Sequence, residues 1–194
     1  MPDAALHVLP VPYGDPIALF APHAATMGAQ LLHSAPSAAG GGRYSFLLLD
    51  PFEILTAKGR DVRIGAERWT ANPFDVVQAR LARYAFNPGT DEFPFVGGAA
   101  GLFGYELARH LETVRVPVTD DLGFPDMALG FYDVVTVFDH RDETACIVST
   151  GRPLDGAAAV RRARGSAAAS RERRDASARA WPVPAVQTPH AEVR

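Results

Sequence analysis

Two short segments gather the residue types that recognise an amino acid. Leu31-Leu32-His33-Ser34 and Arg43-Tyr44-Ser45-Phe46 combine hydroxyl, guanidinium and aromatic groups around a loop that ends in Gly40-Gly41-Gly42. An amino acid ligand needs donors for its carboxylate, acceptors for its ammonium group and an apolar slot for its side chain. These segments hold groups for all three tasks. The same residues also read as strand ends carrying routine polar caps, and local sequence leaves both readings open.

Other chemistry finds less support. The cluster Gly97-Gly98-Ala99-Ala100-Gly101-Leu102-Phe103-Gly104 invites a phosphate-loop reading, but no Gly-Lys-Ser/Thr follows it. Nor does it show the G-x-G-x-x-G spacing that opens a dinucleotide-binding helix. Glycines in such an apolar run mark close backbone approach or a sharp bend. The histidines show no spacing that makes a metal pair with the lone Cys146. His110 lies one helical turn from Glu106, which reads as a surface pair. No G-x-S-x-G frames a nucleophilic serine, and Asp120-Asp121 reads as a solvated loop before a Leu-Gly turn. No complete active site emerges, and no catalytic or metal-binding residue is assigned.

The elements that must position the two segments are mostly strands. Asp15 caps a short helix with Pro16 at its first position, and Pro22 ends or kinks it. Strands are predicted at Gln30–His33, Tyr44–Leu49 and Phe52–Lys58, with a turn at Lys58-Gly59-Arg60-Asp61. Val62-Arg63-Ile64 is expected to pair with Arg68-Trp69-Thr70. Asn72-Pro73 restarts helix, with Phe74, Val77, Leu81 and Tyr84 at helical spacing and Arg80 and Arg83 left toward water. Ala128–Phe138 and Thr144–Ser149 form a hairpin across Asp139–Glu143. Strands joined by short turns, without a βαβ rhythm, predict a mainly antiparallel α+β domain over residues 1–150. Residues 151–194 lose periodicity and gain proline, which reads as an Ala/Arg/Pro-rich linker.

Composition bounds the class. The 194 residues are 47% hydrophobic with mean hydropathy −0.02, enough for a globular core. No apolar run approaches the roughly 20 residues of a spanning helix, and the N-terminus lacks the pattern of a secretory signal. One cysteine excludes an internal disulfide and suits a reducing cytoplasm. A net charge of −3 gives no overall case for nucleic acid. Arg161, Arg162, Arg164, Arg171, Arg173, Arg174 and Arg179 do crowd one stretch. An electrostatic interaction tail is one reading and a solvated helix or linker the other; no aromatic interleaves them to stack on bases.

Three ordered motifs carry a resemblance over residues 15–150. Leu31-Leu32-His33-Ser34 with Arg43-Tyr44-Ser45-Phe46 and Asp50-Pro51 form the first, and Pro94–Gly98 through Gly101–Glu106 to Arg109 and Glu112 the second. Phe124-Pro125-Asp126-Met127 through Tyr132-Asp133 to Phe138-Asp139-His140 form the third. Together they resemble the N-terminal region of the anthranilate synthase / aminodeoxychorismate synthase component I family. His33, where anthranilate synthases usually carry Glu, leans toward the aminodeoxychorismate branch.

The resemblance implies a β-sandwich with flanking helices. It also implies a non-catalytic part of a subunit that works with a glutamine amidotransferase to make 4-amino-4-deoxychorismate for p-aminobenzoate and folate. Chorismate, Mg²⁺ and the acid/base residues would belong to a C-terminal domain outside this chain, which alone would be inactive and carry no cofactor. By the same resemblance Leu32, Ser34, Arg43, Tyr44 and Ser45 are candidates for a tryptophan-type cleft. An anthranilate synthase component I and a free-standing amino acid-binding module are the alternatives.

Overall fold

A computed structural model describes residues 6–34, 41–114, 120 and 122–180. Residues 35–40 of the expected loop, Asp121 and the proline-rich run from Trp181 onward lie outside the described residues. Among the described residues, ten strands fall into two five-stranded sheets whose neighbours are all antiparallel.

The first sheet runs in the order β1 (His7–Val11), β10 (Thr144–Ser149), β9 (Val134–Asp139), β3 (Tyr44–Leu48), β2 (Gln30–Leu32). The second runs β6 (Glu67–Thr70), β5 (Asp61–Ile64), β4 (Glu53–Lys58), β8 (Met127–Tyr132), β7 (Gly98–Phe103). β1 was not foreseen in the sequence; its Pro10 is tolerated because the strand lies at a sheet edge.

Residue alternation sorts three apolar layers. Leu47 and Leu49 join Phe138 and Ile147 against Leu19 of α1 (Pro16–Phe20) and Ala167 of α3 (Gly156–Ala180). Leu48, Val135, Val137 and Val148 face the other way and meet Ala100 and Tyr132 of the second sheet. Leu55, Val62, Leu129 and Phe131 pack on Val77 of α2 (Pro73–Arg83). The chain is thus a β-sandwich with helices on its outer faces, as expected.

Local chemistry explains much of this. The Asp15 carboxylate accepts from the Ile17 N–H at 2.9 Å, and the Asn72 side chain accepts from the Phe74 N–H at 3.0 Å, each before a proline in the first turn. Val62 pairs with Trp69 as predicted, across the hairpin that follows the Lys58–Asp61 turn. Most of the glycine cluster, Gly98–Phe103, is strand: at Gly101 (φ +153°) a Cβ would stand 2.0 Å from the Ala128 carbonyl, so β7 and β8 meet only because no side chain intervenes.

Four expectations are corrected. Ala128–Phe138 is not one strand, because the chain changes sheets at Asp133, between β8 and β9. Residues 156–180 are not linker: α3 buries Ala159, Ala163, Ala167, Ser170, Arg174 and Ser177 at helical spacing against the first sheet and α1. Arg80 does not face water. It lies over Trp69, 5.5 Å from the ring centre, with its nitrogens 3.2 Å from Glu53 and 3.0 Å from Glu67. His110 ends a 3-10 turn with its Nε2 buried and without a hydrogen-bond partner, so the surface pair with Glu106 does not form.

Candidate functional site

Both candidate segments end at one corner of the first sheet. β2 and β3 pair with Leu32 opposite Phe46, which places His33 beside Ser45 just beyond β2. On its other side β3 pairs with β9, Tyr44 opposite Asp139 and Ser45 opposite Phe138. The β9–β10 turn then brings His140 back, its N–H donating to the Arg43 carbonyl at 2.7 Å.

The five candidate residues do not share one face. Leu32, Tyr44 and Phe46 lie on the side that faces the second sheet, where Tyr44 stacks on Phe46 at 6.3 Å and Phe46 meets Phe95 edge-on at 5.7 Å. Ser45 points to the opposite side, with Leu47 and Phe138, and is fully buried. Ser34 is exposed, and its backbone N–H donates to Ser45 Oγ at 3.3 Å. Arg43 lies 4.8 Å above the Tyr44 ring and donates to Asp139 through Nε at 2.9 Å and Nη2 at 2.6 Å, with Asp142 at 3.0 Å. The Arg43 guanidinium holds the Asp139 carboxyl below the usual carboxylate range, helped by the N–H groups of Arg141 and Asp142.

Two residues outside the five candidates, Tyr13 and His140, complete the corner. His140 Nε2 is 2.7 Å from Ser45 Oγ, and its Nδ1 is 2.8 Å from the Tyr13 hydroxyl. His33 Nδ1 reaches the same Ser45 oxygen at 2.9 Å. The two imidazoles meet edge-on at 5.9 Å, although residues 33 and 140 are far apart in sequence. Burial, and then the neighbouring His33, lowers the His140 pKa below its ordinary value, while Asp139 opposes that.

The order Ser45–His140–Tyr13 has the connectivity of a nucleophile, a base and an orienting group. Ser45 has no exposed surface for a substrate to reach, and its oxygen is already shared among three partners. Nor do the two histidines form a metal centre: among the described residues no group of three His, Cys, Asp or Glu could hold an ion. What the contacts build is a hydrogen-bonded support that joins the ends of β2, β3 and β9.

Comparison with known proteins places this geometry. The chain is 34% identical over 153 residues to aminodeoxychorismate synthase component 1 of Salmonella typhimurium, covering 76% of this chain and 31% of that protein. It is 34% identical over 126 residues to the Escherichia coli protein of the same name, covering 62% of this chain and 28% of that one. An Arabidopsis thaliana anthranilate synthase alpha subunit is 35% identical over 119 residues, 55% of this chain and 19% of its own length. Over the length it covers, the chain is similar to the component 1 proteins of aminodeoxychorismate synthase and anthranilate synthase.

The solved structure of anthranilate synthase component I from Streptococcus pneumoniae shares the fold, with TM-score 0.56 and 23% identity over 90% of this chain and 37% of that one. No family model matches. The chain spans about a third of the length of the component 1 relatives it matches. Among the described residues no helix is long and apolar enough to cross a membrane.

Within this component 1 fold, the three sequence motifs lie on strands that adjoin. The first supplies β2 and β3, the second β7, and the third runs through β8 and β9 to His140. Cys146 of β10 lies beside the layer between the sheets, and burial pushes its thiol up to about 11, which makes it a poor nucleophile.

Proposed function

We propose that this chain is a non-catalytic, supporting part of aminodeoxychorismate synthase component I. The complete synthase would use ammonia from a glutamine amidotransferase to replace the 4-hydroxyl of chorismate, giving 4-amino-4-deoxychorismate for p-aminobenzoate and folate synthesis. The observation that carries the reading is the 34% identity over 153 residues to a relative of that name, on a chain covering 31% of it. Chorismate, Mg²⁺ and the acid/base groups fall to the remainder of such a protein. A cytoplasmic location accords with this role.

The chain's own contribution is a rigid sandwich whose corner offers an amino acid cleft. Tyr44, Phe46 and Leu32 supply an apolar wall, Arg43 a guanidinium at its rim, and Asp142, 57% exposed, an acceptor for an ammonium group. Tryptophan suits an aromatic wall of this kind.

The test is reconstitution. The 194-residue chain is mixed with chorismate and ammonium, alone and with a separately produced polypeptide matching the rest of the Escherichia coli component 1. Product is expected only from the mixture. Turnover by the chain alone, or none from a mixture that forms a stable complex, overturns the assignment.

A further inference from the structure

The corner contains a hydrogen-bond chain whose proton count is limited. It runs Tyr13 hydroxyl, His140 Nδ1 and Nε2, Ser45 Oγ, His33 Nδ1, with contacts of 2.8, 2.7 and 2.9 Å. A serine hydroxyl has one proton to give and two lone pairs. One lone pair of Ser45 already accepts from the Ser34 N–H. Of the two imidazoles, one must therefore donate to Ser45 while the other accepts from it.

That arithmetic admits a neutral chain, or a chain with one imidazolium. With either ring charged, its N–H donates to Ser45, Ser45 donates to the other ring, and Tyr13 completes the sequence. With both rings charged, three donors face one oxygen and the serine proton has no acceptor. Ser45 is fully buried, so water cannot reach its oxygen unless the exposed His33 ring swings away and the corner opens.

We propose that Tyr13, His140, Ser45 and His33 form an acid-sensitive latch, which ties the segment after β1 to the ends of β2, β3 and β9 and opens when both imidazoles are protonated. The charged and titratable groups around it are few. Asp139 of β9 favours a charged His140, but Arg43, just before β3, engages both that carboxylate and Asp142 of the following turn. His33 at the end of β2 opposes the charge, and Tyr13 faces the ring from the N-terminal segment. His140, held below its unfolded pKa, binds more protons when unfolded, so its contribution to stability falls as pH drops below about 6.5.

The experiment is an NMR titration of the 194-residue chain from about pH 8 to pH 5, following the histidine ring protons and the backbone amides of residues 33, 34, 44 and 45. In the wild type, His140 should load below its ordinary range, and the amide signals should change only with the protonation that leaves both rings charged. His33→Gln, which cannot take the competing proton, should give one His140 step at higher pH with the amides undisturbed. Ser45→Ala should abolish the link between ring protonation and the amides. Overlapping loading of both rings with unchanged amides, or an amide change retained in His33→Gln, overturns the latch.

Discussion

Arg162 of α3 grips Asp133 at the point where the chain leaves one sheet for the other, its Nε and Nη2 standing 2.8 and 3.0 Å from the two carboxylate oxygens. The Asp133 side chain is 2% exposed and Arg162 30%. Burial pushes the Asp133 carboxyl up and the guanidinium pulls it back. Arg162 also donates to the Arg152 carbonyl at 3.0 Å, so one side chain fixes the sheet corner and the approach to α3.

Removing Arg162 should therefore strand a buried carboxylate. Arg162→Ala is expected to cost about 3 kcal/mol, the lower end for a broken buried pair because the arginine is partly wet. The double change Asp133→Leu, Arg162→Leu should cost much less, since no charge is left alone. Urea denaturation of the three proteins measures both. A cost below about 1 kcal/mol for Arg162→Ala would mean that α3 is not anchored here.

Gly101 carries a different constraint. A methyl group there would strike the Ala128 carbonyl, and φ +153° is a backbone state that side chains rarely adopt. Gly101→Ala should lose about 1–3 kcal/mol, whereas the same change at Gly59, where nothing lies within 4 Å, should lose less. Thermal midpoints of the two variants decide whether close strand approach explains the glycine cluster.

Acid stability should depend on the Arg43–Asp139 pair. The carboxyl is held below its ordinary pKa by the guanidinium, so its stabilisation is complete above about pH 3.9 and fades as pH falls through the lower folded value. Asp139→Asn should flatten the acid limb of a stability–pH curve below about pH 4 and leave its neutral region parallel to the wild type. An unchanged acid limb would show that the pair is too well solvated to matter.

The legible part of this molecule was its local chemistry. Asp15-Pro16 and Asn72-Pro73 announce their helices because cap and first-turn proline are adjacent in sequence. The Val62–Trp69 hairpin is visible for the same reason. The packing of α3 is not legible, because its buried face is built from Ala159, Ala163, Ala167 and Ser170, which carry almost no hydrophobic signal. The sheet change at Asp133 was hidden inside a continuous apolar run. Ser45 was legible as a candidate, but its face was not. Pairing of β3 with both β2 and β9 turns Ser45 toward the helices and Tyr44 toward the second sheet, and brings in His140 from a turn that reads as ordinary loop.

That division of faces makes a sharp prediction about ligand binding. If tryptophan enters between the sheets, it should touch Tyr44, Leu32 and Arg43, while Ser45 acts only through the histidines behind it. A ligand at a hundredfold excess over its dissociation constant adds about 2.7 kcal/mol to the folded state. For a chain of this size each kcal/mol moves the midpoint by about 2–4 °C. Millimolar L-tryptophan should raise the thermal midpoint of the wild type, and Tyr44→Ala with Arg43→Ala should remove the rise. Ser45→Ala should lower the starting midpoint yet keep the ligand-induced rise. Loss of the rise in Ser45→Ala alone would place the ligand on the helix-facing side, against the histidine pair, and shift the cleft to the other face of β3.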